Sequence, residues 1–206
     1  MELPLVFVIG DSISIQYGPF LQTMLKGVYR YARKSGEEEA LKNLDNPMGA
    51  NGGDSHRVRQ YFSLMAADPS WQPDLVLINC GLHDINFREG AHQVPLPVYR
   101  DNLTAIAQTA AEHHVTVAWV LTTPVNSEIH HRVKGWDRFE RDIAAYNAVA
   151  TEIMLAAGIP VIDLFTMTDN LGMNEAITAD GVHFRPEVSA QQAAFLTGWL
   201  FARIGH

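Results

Sequence analysis

Three apolar runs dictate most of what this chain can fold into. Leu5-Val6-Phe7-Val8-Ile9 stops at Gly10-Asp11-Ser12, and the run from Asp74 to Cys80 passes into Gly81-Leu82-His83-Asp84. Val115 to Leu121 ends at Thr122-Thr123-Pro124. A run without polar alternation is apolar on both faces, so as a strand it belongs inside a sheet covered on both sides. Between the runs lie stretches with apolar residues at helical spacing. Strands alternating with helices predict a parallel sheet joined by right-handed crossovers, a three-layer α/β/α fold.

The other elements follow from local pattern. Phe20, Leu21, Met24 and Leu25 suggest a helix within Gly18 to Lys26, and Val28 to Lys34 alternates like an edge strand. Glu37 to Leu44 fits a short helix. After the Gly- and Asn-rich stretch from Asn46 to Ser55, a helix capped by Asp54 or Ser55 would bury Val58, Tyr61, Phe62 and Met65. Pro97 to His114 and Arg141 to Ala157 read as long helices, the second stopped by Gly158. Val125 to Gly135 reads as irregular, Ile159 to Leu164 as a short strand, and the stretch after Leu164, through Gly172 to Asp180, as loop. Pro186 opens a last helix with Val188, Phe195, Leu196, Trp199 and Leu200 inward. There is no repeat or linker, so residues 1–206 are expected to form one domain.

Charge and cysteine content narrow the function. The formal net charge of −8 argues against the basic face that a nucleic-acid partner requires. The single cysteine, Cys80, leaves no intramolecular disulfide or cysteine-rich metal site, suits a reducing compartment, and is expected in the core. No stretch approaches the roughly 20 apolar residues of a membrane span, and Met1-Glu2-Leu3-Pro4 lacks the pattern of a signal peptide. The chain as given is therefore expected to be soluble and cytoplasmic, without a membrane partner.

In open α/β sheets, chemistry collects beyond the carboxyl ends of the strands. Ser12 stands at one such end and His83 at another, while Asp180 and His183 precede the final helix. A serine nucleophile needs a base to take its proton, and the base needs an acceptor to fix its tautomer. Ser12, His183 and Asp180 supply those groups. Acyl transfer also needs donors for the developing oxyanion. The candidates are the N–H of Ser12, the N–H of Gly53 and the side chain of His83. Asp11, Asn79 and Asp84 are expected to brace these segments. The pairs His113-His114 and His130-His131 lack carboxylate or cysteine partners at ligand spacing, so they are expected at the surface rather than on a metal. The segment from Val125 to Trp136 could shape the pocket, with Asn126, His130 and Trp136 as candidates for substrate contact.

These motifs together resemble the SGNH hydrolases, the GDSL-type esterases and lipases. Gly10-Asp11-Ser12 matches the block of the nucleophile, and Gly52-Gly53-Asp54 the block whose glycine N–H enters the oxyanion hole. Gly81-Leu82-His83-Asp84 falls where the family has Gly-x-Asn-Asp, and Asp180-Gly181-Val182-His183 matches the Asp-x-x-His block. The resemblance spans nearly the whole chain. It implies a flavodoxin-like, five-stranded parallel sheet and ester hydrolysis without metal or other cofactor. The departure is His83, which stands in place of the asparagine that donates to the oxyanion. A small water-soluble ester, above all an O-acetyl group on carbohydrate or an oligosaccharide, is the expected substrate. A lysophospholipase or thioesterase, or a weakly catalytic carbohydrate-binding protein on the same scaffold, are the alternatives. Oligomeric state is left open.

Overall fold

The computed structural model describes residues 2–174 and 178–203. Residues 175–177 of the loop expected between Gly172 and Asp180 therefore lie outside the described residues. The apolar runs become strands β1 (Leu5–Ile9), β3 (Leu75–Ile78) and β6 (Val117–Val120). With β2 (Arg30–Arg33) and β7 (Val161–Ile162) they form a five-stranded, all-parallel sheet in the order β2-β1-β3-β6-β7. β1 lies between two partners, Val6 opposite Tyr31 on one side and Leu75 on the other. That explains its unbroken hydrophobicity, for Val6 to Ile9 are all buried. β2 is at the edge, and its exposed or half-buried residues suit that place.

Helices cover both faces. Helix α1 (Ser12–Met24) packs against α8 (Pro186–Phe201), with α7 (Leu164–Asp169) beside α8. On the other face, α4 (Leu96–Glu112) packs against both α3 (Ser55–Ala66) and α6 (Glu140–Ala156). The short helix α2 (Glu37–Lys42) sits next to α1. The hairpin β4 (Phe87–Arg88) and β5 (Ala91–His92) stands apart from the main sheet. Leu103, Ile106, Ala107 and Ala110 of α4 face the core as their spacing requires, as do Ile143, Tyr146, Ala150 and Met154 of α6. Cys80 is fully buried.

Four local expectations change. Helix α1 starts at Ser12, six residues before the expected Gly18, because the Asp11 carboxylate caps it by accepting the Ile13 N–H at 3.0 Å. Such a cap contributes about 1 kcal/mol. The segment from Val125 to Gly135 is not irregular throughout, since it contains α5 (Ser127–Val133), capped by Asn126. Helix α7 occupies part of the expected loop before Gly172, capped by Asp163. Phe195 is 37% exposed rather than inward, because α8 buries Val188, Gln192, Ala193, Leu196 and Leu200 instead.

Among the five main-sheet strands, the order reverses between β1 and β3, and a crevice opens beyond the carboxyl ends of such a pair. Ser12 follows β1 and His83 follows β3. Both sides of the crevice thus carry a residue singled out from the sequence.

Candidate active site

Ser12 is the first residue of α1 and is almost completely buried. At that position its N–H has no acceptor inside the helix and points out of the positive helix end. The Ser12 hydroxyl lies 2.9 Å from His183 Nε2, and His183 Nδ1 lies 2.7 Å from Asp180 Oδ2. The turn Asp180-Gly181-Val182-His183 is held by its own acid. Asp180 Oδ1 accepts the N–H of Val182 at 3.0 Å and of His183 at 2.8 Å. Burial pushes the Asp180 carboxyl up, but the His183 ring and these two N–H groups outweigh it and hold it well below the usual carboxylate range. An ionised Asp180 accepts from Nδ1–H, which leaves Nε2 free to accept the Ser12 proton.

Two further contacts fix the turn against the rest of the chain. Gly181 has φ +79, and a Cβ there would meet the Asn126 carbonyl oxygen at 2.5 Å and the His130 nitrogen at 2.7 Å, so only glycine fits. The Gln16 amide of α1 donates to the Phe184 carbonyl at 2.9 Å and accepts the Phe184 N–H at 3.2 Å. This two-way pair clamps the residue after His183 to the helix that carries Ser12. Gln16 escapes a reading by motif, since nothing local separates it from any other polar residue of α1.

The candidate oxyanion donors differ in how free they are. His83 is 1% exposed, and its Nε2 has no hydrogen-bond partner. Burial drives its pKa down to about 3, with the nearby Arg138 charge adding to the effect, so the ring is neutral at pH 7 and carries one N–H. Gly53 has φ +73 and lies beside Pro47 and Arg57. Its N–H already donates to Asn51 Oδ1 at 3.0 Å, so an oxyanion there would share or displace that bond. Gly52 N–H donates to the Gly10 carbonyl at 2.8 Å, tying the second glycine segment to the first.

The three residues expected as braces, Asp11, Asn79 and Asp84, are all buried. Both Asp84 oxygens accept the Ser55 N–H, at 2.9 and 3.0 Å, which pins the segment after β3 to the start of α3. Burial raises the Asp84 pKa to about 7 against the pull of Ser55. Asn79 donates to the Val120 carbonyl at 2.9 Å, joining the ends of β3 and β6. Asp11 is buried, and burial raises its pKa to about 6 despite the Ile13 N–H and the charges of Arg138 and His183.

The substrate-contact candidates separate. Trp136 lines a cavity of about 710 Å³ together with His83, Asn86, Gln93 and Asp45. Its ring is packed by the guanidiniums of Arg88 and Arg138, at 4.6 and 4.4 Å from the centroid. Asn126 does not line this cavity. Its amide is committed to the Met173 carbonyl and to the Ile129 N–H. His130 is not at the surface as expected but fully buried. Its Nδ1 lies 3.1 Å from the Asp180 carbonyl oxygen, and its ring packs edge-on against Trp136 at 4.7 Å, so it supports the acid turn instead. His113, His114 and His131 are exposed as expected.

Arg138 is a site residue that sequence reasoning missed. It is 2% exposed, donates from Nε to the Leu82 carbonyl at 2.8 Å, and has a buried Nη1 without a partner. Burial lowers its pKa to about 10, so the charge persists at neutral pH. Nothing in the local sequence Trp136-Asp137-Arg138-Phe139 signals this burial, which comes from packing against a segment 56 residues away.

Comparison with known proteins follows the same outline. The family model described as GDSL-like lipase/acylhydrolase matches residues 8–190. A lipase/acylhydrolase from Enterococcus faecalis superposes with a TM-score of 0.64 at 17% identity, covering 98% of this chain and 97% of that one. An acetyl xylan esterase superposes at 0.69 with 17% identity, covering 95% and 99%. A psychrotrophic esterase from Pseudoalteromonas sp. superposes at 0.62 with 17% identity, covering 96% and 98%. No curated protein sequence gives a match.

Proposed function

Because the chain belongs to the GDSL-like lipase/acylhydrolase family and is a carboxylic ester hydrolase, we propose that Ser12, His183 and Asp180 are its catalytic triad. The observation that carries this reading is the continuous hydrogen-bond chain, 2.9 Å from Ser12 Oγ to His183 and 2.7 Å from His183 to Asp180. Ser12 Oγ attacks the ester carbonyl as His183 Nε2 takes its proton, and the imidazolium then protonates the leaving alcohol. Water, deprotonated by the same nitrogen, cleaves the acyl-enzyme. Asp180 holds the tautomer. The Ser12 N–H, the His83 ring N–H and the Gly53 N–H, shared with Asn51, stabilise the oxyanion.

The substrate is an O-acetyl ester of a carbohydrate. Support comes from the cavity beside His83, whose wall carries the side chains of Asn43, Asn46, Asn86 and Gln93, donors and acceptors suited to hydroxyl groups. The acetyl xylan esterase among the similar structures points the same way. Among the described residues no helix is long and apolar enough to cross a membrane.

A serine-directed fluorophosphonate tests the triad directly. Peptide mapping is expected to find the adduct on Ser12 alone; an adduct on another serine, or none, overturns the reading. His83→Ala is expected to lower kcat at least about tenfold with a much smaller change in KM, as for the loss of an oxyanion donor. Steady-state kinetics on p-nitrophenyl acetate would show it, and an unchanged kcat removes His83 from the hole.

A further inference from the structure

One ion pair outside the triad touches it. Lys134 follows α5, and its N–H donates to the His130 carbonyl at 2.8 Å, which fixes where its side chain leaves the backbone. The Lys134 ammonium hydrogen-bonds Asp45 Oδ2 and stands 3.6 Å from Asp180 Oδ2, the oxygen that faces His183 Nδ1. One oxygen each of Asp45 and Asp180 and a ring nitrogen of His183 lie within 4.8 Å of one another. The second Asp45 oxygen is buried without a hydrogen-bond partner. His183 therefore has two carboxylates within close range, with one ammonium among them. The three side chains are between 19% and 27% exposed, so solvent screens them only in part.

We propose that Lys134 and Asp45 act as a positioning pair, which steers Asp180 onto His183 and balances the charge felt by the imidazolium during turnover. The proposal rests on the triad reading above. Burial pushes the Asp45 carboxyl up, but the Lys134 hydrogen bond and charge outweigh it and hold it below its ordinary value, so Asp45 is a carboxylate at working pH. The other groups near His183 are Ser12 and Asp11 at the start of α1 and His83 after β3, while the Arg138 guanidinium before α6 acts on Asp45, Asp11 and Asp180. None of these cancels Asp45 by direct contact; Lys134 does. Without the ammonium, two uncompensated carboxylates would stabilise the imidazolium in the free enzyme and slow return of its proton to the alcohol. Without Asp45, the ammonium would act on Asp180 alone and disfavour the imidazolium.

The two substitutions should therefore move the acidic limb of the kcat/KM–pH profile in opposite directions. With p-nitrophenyl acetate and the full chain, Lys134→Met is expected to raise that limb by at least about half a pH unit, as Coulomb interaction at this range allows. Asp45→Asn is expected to lower it by a similar amount, and Lys134→Arg to keep it near the wild-type position. A purely structural pair would lower activity without moving the limb. Unmoved limbs in both variants, or shifts of the same sign, overturn the proposal, and Asp45→Asn alone decides if Lys134→Met fails to fold. The triad reading is checked separately by Ser12→Ala: activity that survives it overturns the triad, whereas Ser12-dependent activity with unmoved limbs overturns only the pair.

Discussion

Ser12→Ala is expected to lower kcat/KM for p-nitrophenyl acetate by on the order of 10⁴-fold or more while leaving the fold intact. The substitution removes one oxygen from the first turn of α1. The Asp11 cap and the helix hydrogen bonds do not depend on that oxygen. What is lost is the atom 2.9 Å from His183, and with it the acyl-enzyme route. Activity that remained would come from oxyanion donors acting on attacking water. A loss below about 100-fold, with an unchanged thermal midpoint, would mean that the nucleophile lies elsewhere.

Asp180→Asn is expected to cost about 10⁴-fold in kcat, for a different reason. The asparagine oxygen can still accept from Val182 and His183, the two N–H groups that Asp180 Oδ1 now holds, so the turn should persist. Its NH₂ group then faces His183 Nδ1 and donates to it. The ring proton is driven to Nε2, which becomes a donor toward Ser12 and can no longer take its proton. Members of a triad act as a unit, so under the proposed roles Ser12→Ala/Asp180→Asn should be scarcely worse than Ser12→Ala alone. Kinetics of the three variants decide: losses that multiply would show Asp180 acting independently of Ser12.

Much of this architecture is legible in the chain because its strongest signals are local. A run such as Leu5 to Ile9 has no stable place except inside a covered sheet, and Ser12, His83 and His183 all fall at strand or helix ends. The start of α1 is hidden because Gly18 and Pro19 break the pattern inside it. Tertiary packing explains Gly18, where a Cβ would meet Tyr31 Oη at 2.8 Å and Arg33 Nη1 at 2.9 Å. His130 looks like a surface residue until the acid turn packs over it from 50 positions away. The same holds for Arg138 and the Lys134–Asp45 pair. Their partners stand 56 and 89 positions off, and a lone charged residue carries no mark of a distant contact. The readable part of the site is thus the set of proposed reacting groups, and the unreadable part is the set proposed to orient and balance them.

The Gln16 clamp has a consequence for how activity first arises. Ser12 and His183 are 171 positions apart, and Gln16 on α1 meets the backbone immediately after His183. During synthesis, β1 and α1 leave the ribosome long before α8, against which α1 packs. Until that helix docks, Ser12 lacks its proposed base, His183, and is an ordinary hydroxyl. Under the proposed triad, hydrolysis is therefore a timer: the first turnover marks the moment when the two ends of the fold have found each other, and a nascent chain held short of α8 should be chemically silent.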